Sequence, residues 1–225
     1  MHSIVLPTWI TERRALLPRV VRLELRKTAL LVIDLQTYFV EPGNLATVPN
    51  VLDTIPNVNR LAQTLRGRGG RVVWTRHTFS DTPPFAVPAW YDSAGAGYVR
   101  EGKTHLVPGA RGHGLYSQLD VASADLVVDK HRFSPFHPNS SNLNDRLRRR
   151  NIDTLIVTGT LTNCCCESTA RDAIALDYQV LFASDATAAL TDEEHNASLL
   201  NLAVTFVDVR TTEQILGLIC AAEPE

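Results

Sequence analysis

What the chain has little of narrows its chemistry first. Only four of its 225 residues are cysteine and three of those are adjacent, so no spaced disulfide framework and no CxxC pair is present. A reducing, cytoplasmic setting is the expectation. Neither sign of charge dominates: 22 Lys and Arg stand against 24 Asp and Glu, a formal net charge of -2 that gives no electrostatic draw toward nucleic acid or an anionic membrane. No apolar run approaches the ~18 residues that a membrane span requires. The first 27 residues interleave apolar positions with charges such as Glu12, Arg13, Arg14 and Arg19, and so lack the continuous apolar stretch of a signal peptide. Hydrophobic content of 44% with 20% charged residues is that of an ordinary globule, and one domain over 1–225 is the expectation from length.

What is there is a series of short, β-branched apolar runs, at 29–34, 71–76, 125–130, 154–158, 179–184 and 204–208, separated by segments of helical spacing. Val51, Ile55, Val58, Leu61, Ala62 and Leu65 fall on one helical face before a glycine cluster, and further helices are expected at 142–150, 165–176, 192–203 and 212–221. That alternation predicts a doubly wound, mainly parallel six-stranded α/β sheet with helices on both faces. The loops that follow the strands then share one edge of the sheet, where ligands bind in open α/β folds. The stretch 79–114 reads as irregular, broken by Pro83, Pro84, Pro88, Gly95, Gly97, Gly102, Pro108, Gly109, Gly112 and Gly114, and is expected to form a wall or lid of a pocket, or else a surface excursion.

Three strand ends deliver reactive side chains to that edge: Asp34, Lys130, and the cysteines 164–166. A thiol at a strand-to-helix junction sits near the positive end of the new helix, which favours the thiolate. A carboxylate, an ammonium and a thiol converging at neighbouring strand ends would supply a nucleophile, its base and a charge partner. Each alone has an ordinary reading: a turn aspartate, a solvated lysine, small cysteines packed beneath a helix.

Taken together and in order, Leu30-Leu31-Val32-Ile33-Asp34-Leu35-Gln36, Lys130-His131-Arg132-Phe133-Ser134-Pro135-Phe136 and Val157-Thr158-Gly159-Thr160-Leu161-Thr162-Asn163-Cys164-Cys165-Cys166-Glu167-Ser168-Thr169 resemble the isochorismatase-like cysteine hydrolases. The resemblance covers most of the chain from Thr28 onward. It implies Cys165 as the nucleophile, separated from Thr162-Asn163 by one residue, with Cys164 and Cys166 as packing neighbours. It implies Asp34 as general base and Lys130 as the stabiliser of anionic charge. It also implies a cis peptide between Thr160 and Leu161 that turns the Leu161 amide inward, so that the N–H groups of Leu161 and Cys165 form an oxyanion hole.

The activity so implied is cysteine-dependent cleavage of a C–N bond in a small linear amide, ureide or carbamoyl compound through a thioester, with no cofactor. Isochorismatases proper do not keep a cysteine at this position. Nicotinamidases of the family carry an Asp-x-His and a further His for a metal, whereas this chain reads Trp74-Thr75-Arg76-His77-Thr78-Phe79-Ser80-Asp81, so no metal is expected and His77 is read as a pocket or structural residue. Glu167-Ser168-Thr169-Ala170-Arg171-Asp172-Ala173 looks more like the ureide, biuret and carbamoyl-amide branch. Candidate substrate contacts are Gln36, Tyr38, Phe39, Arg76, Trp90, Phe133 and Phe136. The partner expected is a small molecule, with a homodimer or homotetramer implied by the family and the 1–27 segment as an arm across its interface. Competing readings are a non-catalytic binding protein on the same fold, a nicotinamidase-type hydrolase, and a redox-responsive protein built on the adjacent cysteines.

Overall fold

A computed structural model describes residues 1–16, 19–89, 91, 96–205 and 207–222. Six strands, β1 (Thr28–Ile33), β2 (Arg71–His77), β3 (Leu126–Lys130), β4 (Thr154–Thr160), β5 (Gln179–Ala188) and β6 (Asp208–Arg210), pair in parallel in the order β3-β2-β1-β4-β5-β6. β1 and β4 are buried at every position, as strands covered on both faces must be. Leu30 and Val32 face a cluster built with α3 (Val51–Gly67) and α8 (Thr212–Ala221). Ala29, Leu31 and Ile33 face the opposite cluster, with α5 (Leu143–Arg148), α6 (Glu167–Ala175) and α7 (Asp192–Ala203). The period of two along each strand thus splits one apolar run between two cores.

The strand order reverses between β1 and β4. At such a switch point the loops leaving adjacent strands diverge and open a crevice. Gly159 makes the close approach there possible: its φ is +110°, and a Cβ on it would stand 2.1 Å from the Ile33 carbonyl oxygen.

Two expectations need correction. The sixth strand lies at Asp208–Arg210 rather than 204–208, because Val204 caps α7 and the Thr205 hydroxyl donates to the Leu202 carbonyl, so these β-branched residues finish a helix. The stretch 79–114 is not wholly irregular: it holds α4 (Ala96–His105) and a 3-10 turn at Arg111–His113. Gly102, a breaker on paper, lets α4 lie against Phe79, whose ring a Cβ there would meet at 2.5 Å. Tyr38, Phe79, Tyr91, Val99 and Leu106 make a small core of their own beneath this segment.

The N-terminal segment runs through α1 (Thr8–Ala15) and lies along α7 of its own chain. His2 Nδ1 is 2.7 Å from Asp192 Oδ1, and the Ala189 N–H donates to His2 Nε2 at 3.0 Å.

Candidate active site

Asp34 and the cysteine turn leave β1 and β4, the two strands at the switch point. Lys130 comes from further away than the sequence suggests. It ends β3, an edge strand separated from β1 by β2, and its long stem carries the ammonium across to Asp34. The expectation of neighbouring strand ends therefore applies to Asp34 and the cysteines alone.

The ammonium stands 2.7 Å from Asp34 Oδ2, 3.0 Å from the Arg132 carbonyl oxygen, 3.3 Å from His77 Nδ1 and 3.4 Å from Cys165 Sγ. Lys130 is 0% exposed and Asp34 2%, so neither charge is diluted by water. Burial works against the charge on Lys130, but the Asp34 carboxylate and Cys165 outweigh it and hold the lysine above its ordinary range. Burial, reinforced by the Lys130 ammonium, pushes His77 well below the usual imidazole range, so its ring is neutral and Nδ1 accepts.

Asp34 adopts φ +53°, which turns its side chain over the end of the sheet. The Thr75 hydroxyl donates to Oδ1 at 2.8 Å and accepts from the Asp34 N–H at 3.2 Å. Oδ2 has no directed hydrogen bond among the described residues, its contact with the ammonium being electrostatic. It is the oxygen left open to take a proton.

The cysteines do not open an α-helix. Thr162–Cys166 form a wide π turn, and α6 begins at Glu167. The turn brings Cys164 to the cavity wall beside Cys165, correcting the reading of Cys164 as packing alone. Cys166 is fully buried, with its thiol on the Thr158 carbonyl at 3.7 Å. The Thr169 hydroxyl donates to the Cys165 carbonyl at 2.5 Å. All four cysteines are free thiols. The hydrogen bond from its neighbour raises Cys165 and lowers Cys164, burial raises both, and Lys130 pulls both down. Helix polarity alone would favour a resting thiolate at Cys165; burial and the Cys164 contact hold it as a thiol that needs a base. The Thr160-Leu161 peptide is cis, and the Leu161 N–H meets no protein acceptor among the described residues.

Asp34, His77, Thr160, Leu161, Cys164 and Cys165 line the floor of a cavity of about 250 Å³, and Phe39, Leu45, Ala46, Val48, Tyr98, Phe133 and Leu190 form its walls. Of the candidate contacts, Phe39 and Phe133 line it and the others described do not. Gln36 is spent beneath it, its Nε2 donating to the His77 and His113 carbonyls and its Oε1 accepting from the His77 N–H. Tyr38 stacks on His105 at 5.1 Å. Arg76 pairs with Asp129 at 2.7 Å, and Phe136 leans on Tyr178 in the opposite core. Trp90 lies outside the described residues. Sequence reasoning missed Leu45, Val48, Tyr98 and Leu190. Leu190 lies two residues past β5, which runs on to Ala188 where the apolar run had suggested an end at Ser184, so the strand-end rule did not reach it; Tyr98 sits among glycines where no periodicity pointed inward. No group of three or more His, Cys, Asp or Glu side chains gathers as a metal site among the described residues.

The chain is similar to known proteins over most of its length. A model described as the isochorismatase domain matches residues 28–214. A protein named Nicotinamidase 3 from Arabidopsis thaliana is 33% identical over 181 residues, covering 79% of this chain and 81% of that one. Ureidoacrylate amidohydrolase RutB from Methylobacterium radiotolerans is 30% identical over 218 residues, covering 89% and 84%. The crystal structure of a cysteine hydrolase from Pseudomonas syringae superposes with a TM-score of 0.81 at 28% identity, covering 92% and 98%.

Proposed function

The chain belongs to the isochorismatase family, and from that premise we propose that this family hydrolase cleaves the C–N bond of a small amide, ureide or carbamoyl compound through a thioester on Cys165. One observation carries the reading. A fully buried ammonium, Lys130, touches both the Asp34 carboxylate and the Cys165 sulfur beneath the floor of the cavity. A packing thiol needs neither partner.

The steps follow from the positions. Asp34 Oδ2 takes the thiol proton while the sulfur attacks the carbonyl carbon, and Lys130 stays beside the single negative charge as it passes from the carboxylate to the sulfur. The carbonyl oxygen turns toward the N–H groups of Leu161 and Cys165, donors of the kind that stabilise a tetrahedral oxyanion. As the C–N bond breaks, Asp34 returns its proton to the leaving nitrogen, and ammonia or an amine departs. Water, deprotonated by the same carboxylate, attacks the thioester, and the proton returns to the sulfur as the acid product leaves. Relatives named for ureidoacrylate and nicotinamide put both kinds of amide among the substrates to be tried.

The test is ammonia release from biuret, ureidoacrylate, N-carbamoyl amino acids, maleamate and nicotinamide, with the wild type set against Cys164→Ala, Cys165→Ala and Cys166→Ala. Activity is expected to fall at least about 10⁴-fold in Cys165→Ala and to survive in the other two. Loss through Cys164 instead would transfer the nucleophile to its neighbour. A folded wild type inert toward every amide would favour a binding role.

A further inference from the structure

Resting on that amide-hydrolase reading, we propose that the substrate is an electrically neutral amide with an apolar acyl group, selected by Phe39, Leu45, Val48, Tyr98, Phe133 and Leu190. The walls that face the reacting carbon come from four separate segments of chain, and all of them are apolar or aromatic. Phe39, Leu45 and Val48 come from the connection after β1, Tyr98 from α4, Phe133 from the turn after β3 and Leu190 from the end of β5. Four segments that share one chemistry define a ligand surface more strongly than one apolar loop would.

A carboxylate on the substrate would have no counter-charge there. No arginine or lysine lines the cavity among the described residues. The Lys130 ammonium sits below the floor and is spent on Asp34, His77, the Arg132 carbonyl and Cys165. The Arg132 guanidinium, two residues past Lys130, lines a separate cleft with Pro88, Tyr91 and His137, and donates to the His131 and Pro84 carbonyls. A bound anion would therefore lose its water, gain no partner and approach Asp34, a like charge. Two phenols beside the site register the same bias: burial and Cys165 push both Tyr98 and Tyr91 well above the usual phenol range.

Size narrows the class further. A dry cavity of about 150 Å³ accepts benzene, so about 250 Å³ holds a ring or a chain of several carbons in addition to the amide. At the mouth, Leu45 and Leu190 are 65% and 47% exposed, a rim of bare apolar surface on which the far end of an acyl chain would be covered.

The experiment measures kcat/KM of the wild type for pairs matched in shape: hexanamide against the monoamide of adipic acid, and benzamide against 4-carbamoylbenzoate. The neutral member is expected to lead by about 100-fold or more, and lengthening from butanamide to hexanamide to raise kcat/KM by about three- to four-fold per methylene. In Leu45→Arg, a substitution at an exposed rim position, the anionic amides should gain about ten-fold in a manner weakened by salt. Equal or faster wild-type turnover of the anionic member, abolished in Cys165→Ala, would overturn the inference and leave the amide-hydrolase reading standing. Hydrolysis of no member would overturn that reading, and calorimetry on Cys165→Ala would then decide the inference alone. Binding of hexanamide over the adipate monoamide supports it; equal or reversed affinity overturns it.

Discussion

The floor and the walls of the cavity are built on opposite principles. In and beneath the floor, Asp34, Thr75, His77 and Lys130 are buried polar groups tied to one another across three strands, each held by at least one hydrogen bond or ion pair of 3.3 Å or less. On the walls, Phe39, Leu45, Tyr98, Phe133 and Leu190 contribute surface and shape from connections and a helix of the 79–114 segment. A network of buried charges tolerates no missing member, because the one left behind keeps its desolvation cost. An apolar wall degrades by degrees, in proportion to the area removed. Changes on the floor should therefore be all-or-none, and changes on the walls graded.

Lys130→Met tests the floor and should have the largest effect. It leaves the Asp34 carboxylate buried without its cation, so turnover should be lost and stability should fall by about 3–5 kcal/mol in denaturant titration. Adding Asp34→Asn should recover much of that stability and none of the activity. If the single variant keeps its full stability, the floor is not the interdependent network described. Phe133→Ala tests the wall: kcat/KM for an apolar amide should drop about ten-fold through KM, with kcat largely kept. A fall in kcat alone would mean that Phe133 orients the reacting carbonyl rather than offering surface.

The most gradual effect should come from the layer behind the cysteine turn. His195 is buried, its Nδ1 lies 2.9 Å from the Thr162 hydroxyl, and burial together with His2 lowers it to about 4. The unfolded imidazole, near 6.5, takes up its proton first, so the stabilising contribution is complete above that pH and is lost as pH falls from about 6.5 to about 4. Stability should therefore decline by up to about 1.4 kcal/mol per pH unit across that window. The slope should flatten in His195→Gln; an unchanged slope would assign it to other groups.

Much of the floor was legible in the chain because it hangs on strand ends. Alternating apolar runs locate strands, and a reactive residue at or just after a strand end lies on the ligand edge, which is how Asp34, Lys130 and the three cysteines stood out; the choice of Cys165 among the three came from the family resemblance. What the runs did not carry was distance. That Lys130 reaches over an intervening strand depends on strand order, which is set by crossovers and not by local pattern. The walls were least legible. Phe39 and Phe133 adjoin strand ends and were found, while Phe136, three residues beyond Phe133, turned into the opposite core. Tyr98 lies on a helix hidden by glycines whose purpose, as at Gly102 against Phe79, is close packing. Val204 misled in the other direction, since a β-branched residue closing a helix reads the same as one opening a strand.

The contacts of His2 set an order in time. Its ring is gripped by Asp192 and the Ala189 amide and stacks at 4.4 Å on His195, whose other neighbour is the Thr162 hydroxyl in the cysteine turn. On a ribosome adding about 5–20 residues per second, the docking shelf emerges some 10–40 seconds after residue 2. The segment around His2 is thus made well before the shelf it docks on, and until it docks, the cysteine turn lacks part of its backing. Birth order and assembly order run opposite ways for this segment.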